Sequence, residues 1–138
     1  IPGLDTVPTL DSTSIMELGE VPKHLLVLGG GYIGLEFAQM FRRFGIRVTV
    51  IQQSEQLLGR EDADVAEEVA KILHEDSIDI LLNTSTLKAE KVDGKICVTV
   101  KTPESERTLE GSHLLVATGR TPNSDTLNLG AAGIETDK

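Results

Sequence analysis

Leu25-Leu26-Val27-Leu28-Gly29-Gly30-Gly31-Tyr32-Ile33-Gly34 joins an apolar run to a cluster of glycines, and that join decides the fold. Four consecutive apolar residues suit a strand buried on both faces of a parallel sheet. After the glycines, Ile33, Phe37, Met40 and Phe44 recur at helical spacing, which predicts an amphipathic helix carrying that stripe. Gly45 stands where a left-handed C-cap ends such a helix. Val48-Thr49-Val50-Ile51 then reads as a second strand.

A second helix is expected over about 62–75, with Val65, Val69, Ile72 and Leu73 as its apolar stripe. Glu61, Asp62 and Asp64 at its start carry the sign favoured by the helix dipole and read as capping and solvated surface. Residues 78–82 make a third strand. Strand, helix, strand, helix, strand is the mononucleotide-binding half of a doubly wound fold.

The alternation then breaks. Residues 87–92 and 95–101 are strand-like and joined by Asp93-Gly94, a two-residue turn of the I′ kind. A turn at Pro103 leads into a third short strand over 107–110. Leu114-Leu115-Val116-Ala117 is a last apolar strand. The fold class is therefore α/β: a Rossmann-like parallel sheet with flanking helices, in which a three-stranded antiparallel meander replaces one crossover. Residues 1–24, with one short helical stretch near 14–18, read as an ordered lead-in; 25–120 form the nucleotide-binding domain, and 121–138 lead out.

Gly29 to Gly34 match G-x-G-x-x-G in the required setting: a buried strand before, an amphipathic helix after, a second strand ending about 20 residues on. Gly29 permits the tight turn, Gly31 lets a pyrophosphate approach the backbone, and Gly34 lets the helix pack closely on the strand. Gly30, Tyr32 and Ile33 complete the turn. At the end of the second strand an Asp or Glu normally accepts a hydrogen bond from the adenosine ribose. Here Gln52 and Gln53 stand there, so nothing negative excludes a 2′-phosphate. Arg42, Arg43 and Arg47 lie too far from the glycines, whereas Arg60 can fold back from the loop before the second helix. The cofactor is NAD or NADP, with a slight lean to NADP.

The bulk composition is consistent with this. Net charge is -9, from 22 acidic and 13 basic residues, which argues against nucleic acid or an anionic membrane as partner. No apolar run approaches the length of a membrane span and no signal-peptide pattern opens the chain, so a cytoplasmic or organelle-matrix setting is expected. The chain starts at Ile1 and reads as a piece of a longer protein. The single cysteine, Cys97, sits in an alternating strand pattern and allows no internal disulfide. His24, His74 and His113 do not form a catalytic set, and no metal site is expected.

Gly29-Gly30-Gly31-Tyr32-Ile33-Gly34-Leu35-Glu36-Phe37-Ala38, taken with Val116-Ala117-Thr118-Gly119-Arg120-Thr121-Pro122-Asn123, resembles the FAD-dependent pyridine nucleotide-disulfide oxidoreductases. That family includes dihydrolipoamide dehydrogenase, glutathione reductase and mercuric reductase. The resemblance covers nearly the whole chain and implies its NAD(P)-binding domain. It implies that Tyr32 shields the flavin until nicotinamide arrives, that Glu36 stands at the nicotinamide end, that Gly119 lets the dinucleotide pass near the backbone with Thr118 beside it in the cofactor site, and that Thr86 contacts the adenosine half. It also implies an FAD fingerprint, a reactive disulfide and a dimerisation domain elsewhere in a homodimeric parent enzyme. No catalytic residue is then expected on this chain, which would not turn over alone. Two other readings stand beside this one: a ligand-sensing Rossmann regulatory module, and an FAD-binding Rossmann domain.

Overall fold

The computed structural model describes residues 1–120 and 122–136. Thr121 of the second motif, and Asp137 and Lys138 of the lead-out, lie outside the described residues. Four parallel strands, β1 (His24–Leu28), β2 (Arg47–Ile51), β3 (Asp79–Leu81) and β7 (His113–Val116), form one sheet in the order β3-β2-β1-β7. Helices α1 (Tyr32–Arg43) and α2 (Ala63–Glu75) make the crossovers β1 to β2 and β2 to β3. Between β3 and β7 the meander β4 (Ser85–Val92), β5 (Lys95–Lys101) and β6 (Glu106–Gly111) forms a separate antiparallel sheet. The expected fold class holds.

The apolar run of β1 has its physical reason in two cores. Leu25 and Val27 face the helices and join Leu35, Ala38, Phe41, Val48, Val50 and Leu73. Leu26 and Leu28 face the other way, onto Ala89, Ile96, Val98 and Val100 of the meander. The meander thus takes the place of a covering helix layer, and β1 is dry on both sides. Asp93 (φ 50°) and Gly94 (φ 80°) adopt the two positive φ values of a type I′ turn, which holds β4 and β5 in register.

Both helices pack on a different line from the one their large apolar residues suggest. In α1 the buried residues are Gly34, Leu35, Ala38 and Phe41, with Ile33, Phe37 and Met40 half-buried beside them and Phe44 exposed at 65%. In α2 they are Ala66 and Leu73; Val69 is half-buried, while Val65 and Ile72 stay nearly half exposed. Small side chains let a helix approach the sheet most closely, so Gly34, Ala38 and Ala66 set the contact line and larger residues flank it.

Residues 1–24 share this core. Val7 and Ile15 are buried. The Leu10 N–H donates to Leu114 O (2.8 Å) and the Val116 N–H donates to Leu10 O (2.8 Å), so the segment pairs along the outer edge of β7. Short 3-10 turns occupy Leu4–Thr6, Ser14–Glu17 and Leu129–Ala132. No helix among the described residues is long and apolar enough to cross a membrane.

Candidate functional site

From β1 the chain proceeds to β2 and β3 on one side, and β7 adds on the other. The crevice where strand order reverses, at the carboxyl ends of the strands, is where open α/β sheets bind ligands. A cleft of about 780 Å³ opens there. The ends of β1, β2 and β7, the first turn of α1 and the start of β4 wall it.

Gly29 closes the strand with φ 106°, and a Cβ there would stand 2.5 Å from Ala117 O. At Gly34 a Cβ would come well under 3.0 Å from Gly29 O, so only glycine lets α1 sit this close to the end of β1. Gly31 differs: a Cβ would meet nothing within 4 Å. It is the N-cap of α1, with ordinary extended backbone (φ −85°, ψ 178°), and no side chain caps the first turn. Gly31, Tyr32 and Ile33 line the cleft. An uncapped helix start opening on a cleft offers donors and a positive dipole end to an anion.

The loop between β2 and α2 is tied to this turn. Gln52 Oε1 accepts from the Gly30 N–H (2.8 Å), and the Leu58 N–H donates to Gly30 O (2.9 Å). The Gln52 amide nitrogen donates to Ser54 Oγ and to Gln56 O (3.3 Å). Tyr32, 56% exposed, donates its hydroxyl to Glu61, whose backbone oxygen accepts from Gln56 Nε2 (3.1 Å). That hydrogen bond raises the Tyr32 pKa above the ordinary phenol value, because ionisation would set a phenolate against a carboxylate.

The cleft brings together Gly29, Gly30, Gly31, Tyr32, Ile33, Gln52, Gln53, Arg60, Thr86, Thr118 and Gly119, nearly all the residues singled out in the sequence. Gly34 lies behind it as packing, and Glu36 is exposed on α1 without lining it. Arg60 is exposed and makes no ion pair among the described residues; its salt-bridging capacity stays open to a ligand. Arg42 and Arg47 are committed elsewhere, to Asp76 O (2.8 Å) and to Asp79 (3.3 Å). Sequence reasoning did not find Ser54, Leu58, Thr84 and Ser85 in the wall, or Glu61 as the partner of Tyr32. Glu61 was legible only as one of three acids before a helix; of these, Asp64 bonds its neighbour Val65 N and Asp62 caps nothing. None of the three histidines lines the cleft.

Comparison with known proteins follows the same line. The family described as pyridine nucleotide-disulphide oxidoreductase matches residues 1–138. The chain is 42% identical over 138 residues to a mercuric reductase of Lysinibacillus sphaericus, covering all of this chain and 25% of that protein. It is 41% identical over 136 residues to the probable pyridine nucleotide-disulfide oxidoreductase RclA of Escherichia coli, covering 97% of this chain and 30% of that one. The solved HOCl-induced flavoprotein disulfide reductase RclA of Escherichia coli superposes with a TM-score of 0.86 at 39% identity, covering all of this chain and 31% of that structure. LpdA of Mycobacterium tuberculosis gives 0.77 at 30% identity, covering 94% and 28%. The chain thus spans between a quarter and a third of the length of these relatives. With the glycine turn, the meander and the strand order all in keeping, this chain belongs to the pyridine nucleotide-disulphide oxidoreductase family.

Proposed function

We propose that this chain is the NAD(P)H-binding domain of a flavin-dependent disulfide oxidoreductase, and that it orients nicotinamide for hydride transfer to FAD held elsewhere in the parent enzyme. The observation that carries the reading is Gly31: an uncapped helix start that lines the cleft at the switch point of the sheet, where a Cβ would meet no protein atom. The residues fit a pyrophosphate there. The N–H groups of Tyr32 and Ile33 have no side-chain acceptor, and Gly31 leaves the approach clear.

When bound, the dinucleotide supplies the hydride, and the organic chemistry is its own. The protein's residues hold it. The first turn of α1 offers its free N–H groups and positive dipole end to the pyrophosphate; Thr118 and Gly119 border its path beyond β7, where Gly119 adds no side chain; Thr86 and Gln53 border the adenosine end. Arg60 supplies a cation for a 2′-phosphate, which supports a slight preference for NADPH. Tyr32 lines the cleft with its hydroxyl bonded to Glu61, and Glu36 is exposed on α1 outside the cleft wall; these two mark the nicotinamide end of this reading. The remaining domains, the FAD and a dimer partner belong to the parent enzyme.

Calorimetric titration with NADH, NADPH and FAD tests this. Binding of either nicotinamide cofactor and not of FAD is expected, with no disulfide reductase turnover by the chain alone. Tight FAD binding would instead assign the turn to the flavin. Family membership already favours an enzyme over a ligand-sensing regulatory module. Arg60→Ala is expected to weaken NADPH selectively; an equal effect on both cofactors removes the case for NADP.

A further inference from the structure

In a Rossmann unit the side chain ending the second strand is the usual reader of the adenosine ribose. Gln52 holds that position and is turned to another task. Its Oε1 accepts from the Gly30 N–H at 2.8 Å, and its two amide hydrogens are directed to Ser54 Oγ and to Gln56 O. Its backbone is equally engaged: the N–H donates to Leu81 O (2.8 Å), and the carbonyl accepts from the Thr84 N–H (3.0 Å). One lone pair of Oε1 remains, and a lone pair cannot hold a phosphate.

The other half of the arrangement lies at Gly30. Its carbonyl accepts from the Leu58 N–H, so both of its backbone groups go to the loop following β2. A Cβ at Gly30 would lie 2.6 Å from Leu57 Cδ2 and 3.2 Å from Gln52 Oε1. Leu57 is buried, and Leu58 is buried in the left-handed region with φ 48°. The loop is therefore clamped against the middle glycine, and Gln52 is the side-chain part of that clamp.

We infer that Gln52 is a positioning residue that locks the glycine turn in its anion-binding shape, and that the ribose substituent is read beyond it, by Gln53 and Arg60. This rests on the proposal that the cleft binds a dinucleotide. Gln52→Met keeps the length of the side chain and removes the acceptor, leaving the Gly30 N–H unpaired. NADH and NADPH affinities are then expected to fall together, each about tenfold, with their ratio unchanged. Arg60→Met should do the reverse, changing the ratio by weakening NADPH more than NADH.

The amide resonance of Gly30 gives a reading independent of ligand. It should move upfield in Gln52→Met, as an amide proton does when its hydrogen bond is lost. A purely structural role would lower the melting temperature of Gln52→Met while leaving affinity intact below the transition, and that result overturns the inference. So does a ratio of NADH to NADPH affinity that changes in Gln52→Met, since a side chain reading the ribose must discriminate. If the unaltered chain binds neither cofactor, the functional proposal itself falls, which the Gly30 resonance distinguishes from a failure of the clamp.

Discussion

Alanine at Gly31 and alanine at Gly34 are the same chemical change three residues apart, and they should have opposite consequences. At Gly34 the new Cβ would come well under 3.0 Å from Gly29 O, a backbone atom that cannot swing aside. Either α1 lifts off β1 or the turn opens, and both break contacts of Leu35, Ala38 and Phe41 with Val27 and its neighbours. Overpacking of this kind costs about 1–3 kcal/mol. The helix propensity gained on replacing glycine returns up to about 1 kcal/mol. The net expectation is a loss of about 1–2 kcal/mol, or a drop of roughly 3–8 °C in melting temperature for a domain of this size. At Gly31 the Cβ meets no atom and the backbone already has a conformation open to alanine. Stability should then fall by no more than about 1 kcal/mol, the preference of an N-cap for glycine over alanine, while the methyl group occupies the approach to the helix start and dinucleotide affinity falls. Thermal unfolding and calorimetry on both variants measure this. A Gly34→Ala chain as stable as the original, or a Gly31→Ala chain that binds normally, would refute the assignment of the two glycines.

Tyr32 is the only tyrosine and there is no tryptophan, so ultraviolet titration reads this phenol alone. Its midpoint should lie above the ordinary tyrosine value and fall back in Glu61→Gln; no difference between the two would dissolve the hydrogen bond to Glu61. His24 Nδ1 donates to Glu110 O (2.8 Å) and its Nε2 is hydrogen-bonded with Thr49 Oγ1 (2.9 Å), and burial, aided by Arg47, holds its pKa below the ordinary imidazole value. Below about pH 6.5 the unfolded chain takes a proton that the folded one refuses, so this contribution is complete above that pH and is lost as pH falls through it. Urea midpoints between about pH 7 and 5.5 should decline less steeply in His24→Gln than in the original; equal slopes would exclude His24 as the source. Leu26→Ala empties a fully buried site between the parallel sheet and the meander and should cost about 2–5 kcal/mol in denaturant unfolding, a smaller loss meaning that the two sheets are not tightly packed.

The parts of this molecule that local chemistry controls were readable from its residues. The β1 run, the Asp93-Gly94 turn and the end of α1 at Gly45 (φ 86°) each follow from a neighbouring pattern, and each is found. The helix faces were not, because size misleads: Phe44 and Ile72 look like core residues, but Gly34, Ala38 and Ala66 determine how near each helix lies to the sheet. The glycine motif lies where the sequence put it, in the turn between β1 and α1 on the wall of the cleft. Gln52 in a ribose-reading position gave no sign of being bonded to Gly30, since that contact spans 22 residues and depends on how the loop folds over the turn. For the same reason Glu61 looked like a capping acid rather than the partner of Tyr32, 29 residues away. Arg60 could be seen to reach the cleft because it lies in the loop that follows β2 at the binding edge of the sheet.

The central claim is that a nicotinamide dinucleotide sits at the Gly31 turn, and an amide-resolved NMR titration of the chain with NADH or NADPH tests it most directly. Shifts should saturate together at Gly31, Tyr32 and Ile33 and at Thr118 and Gly119, facing one another across the ends of β1 and β7. No shift at about millimolar cofactor, or shifts gathered at the opposite edge around His24 and Arg47, would contradict it.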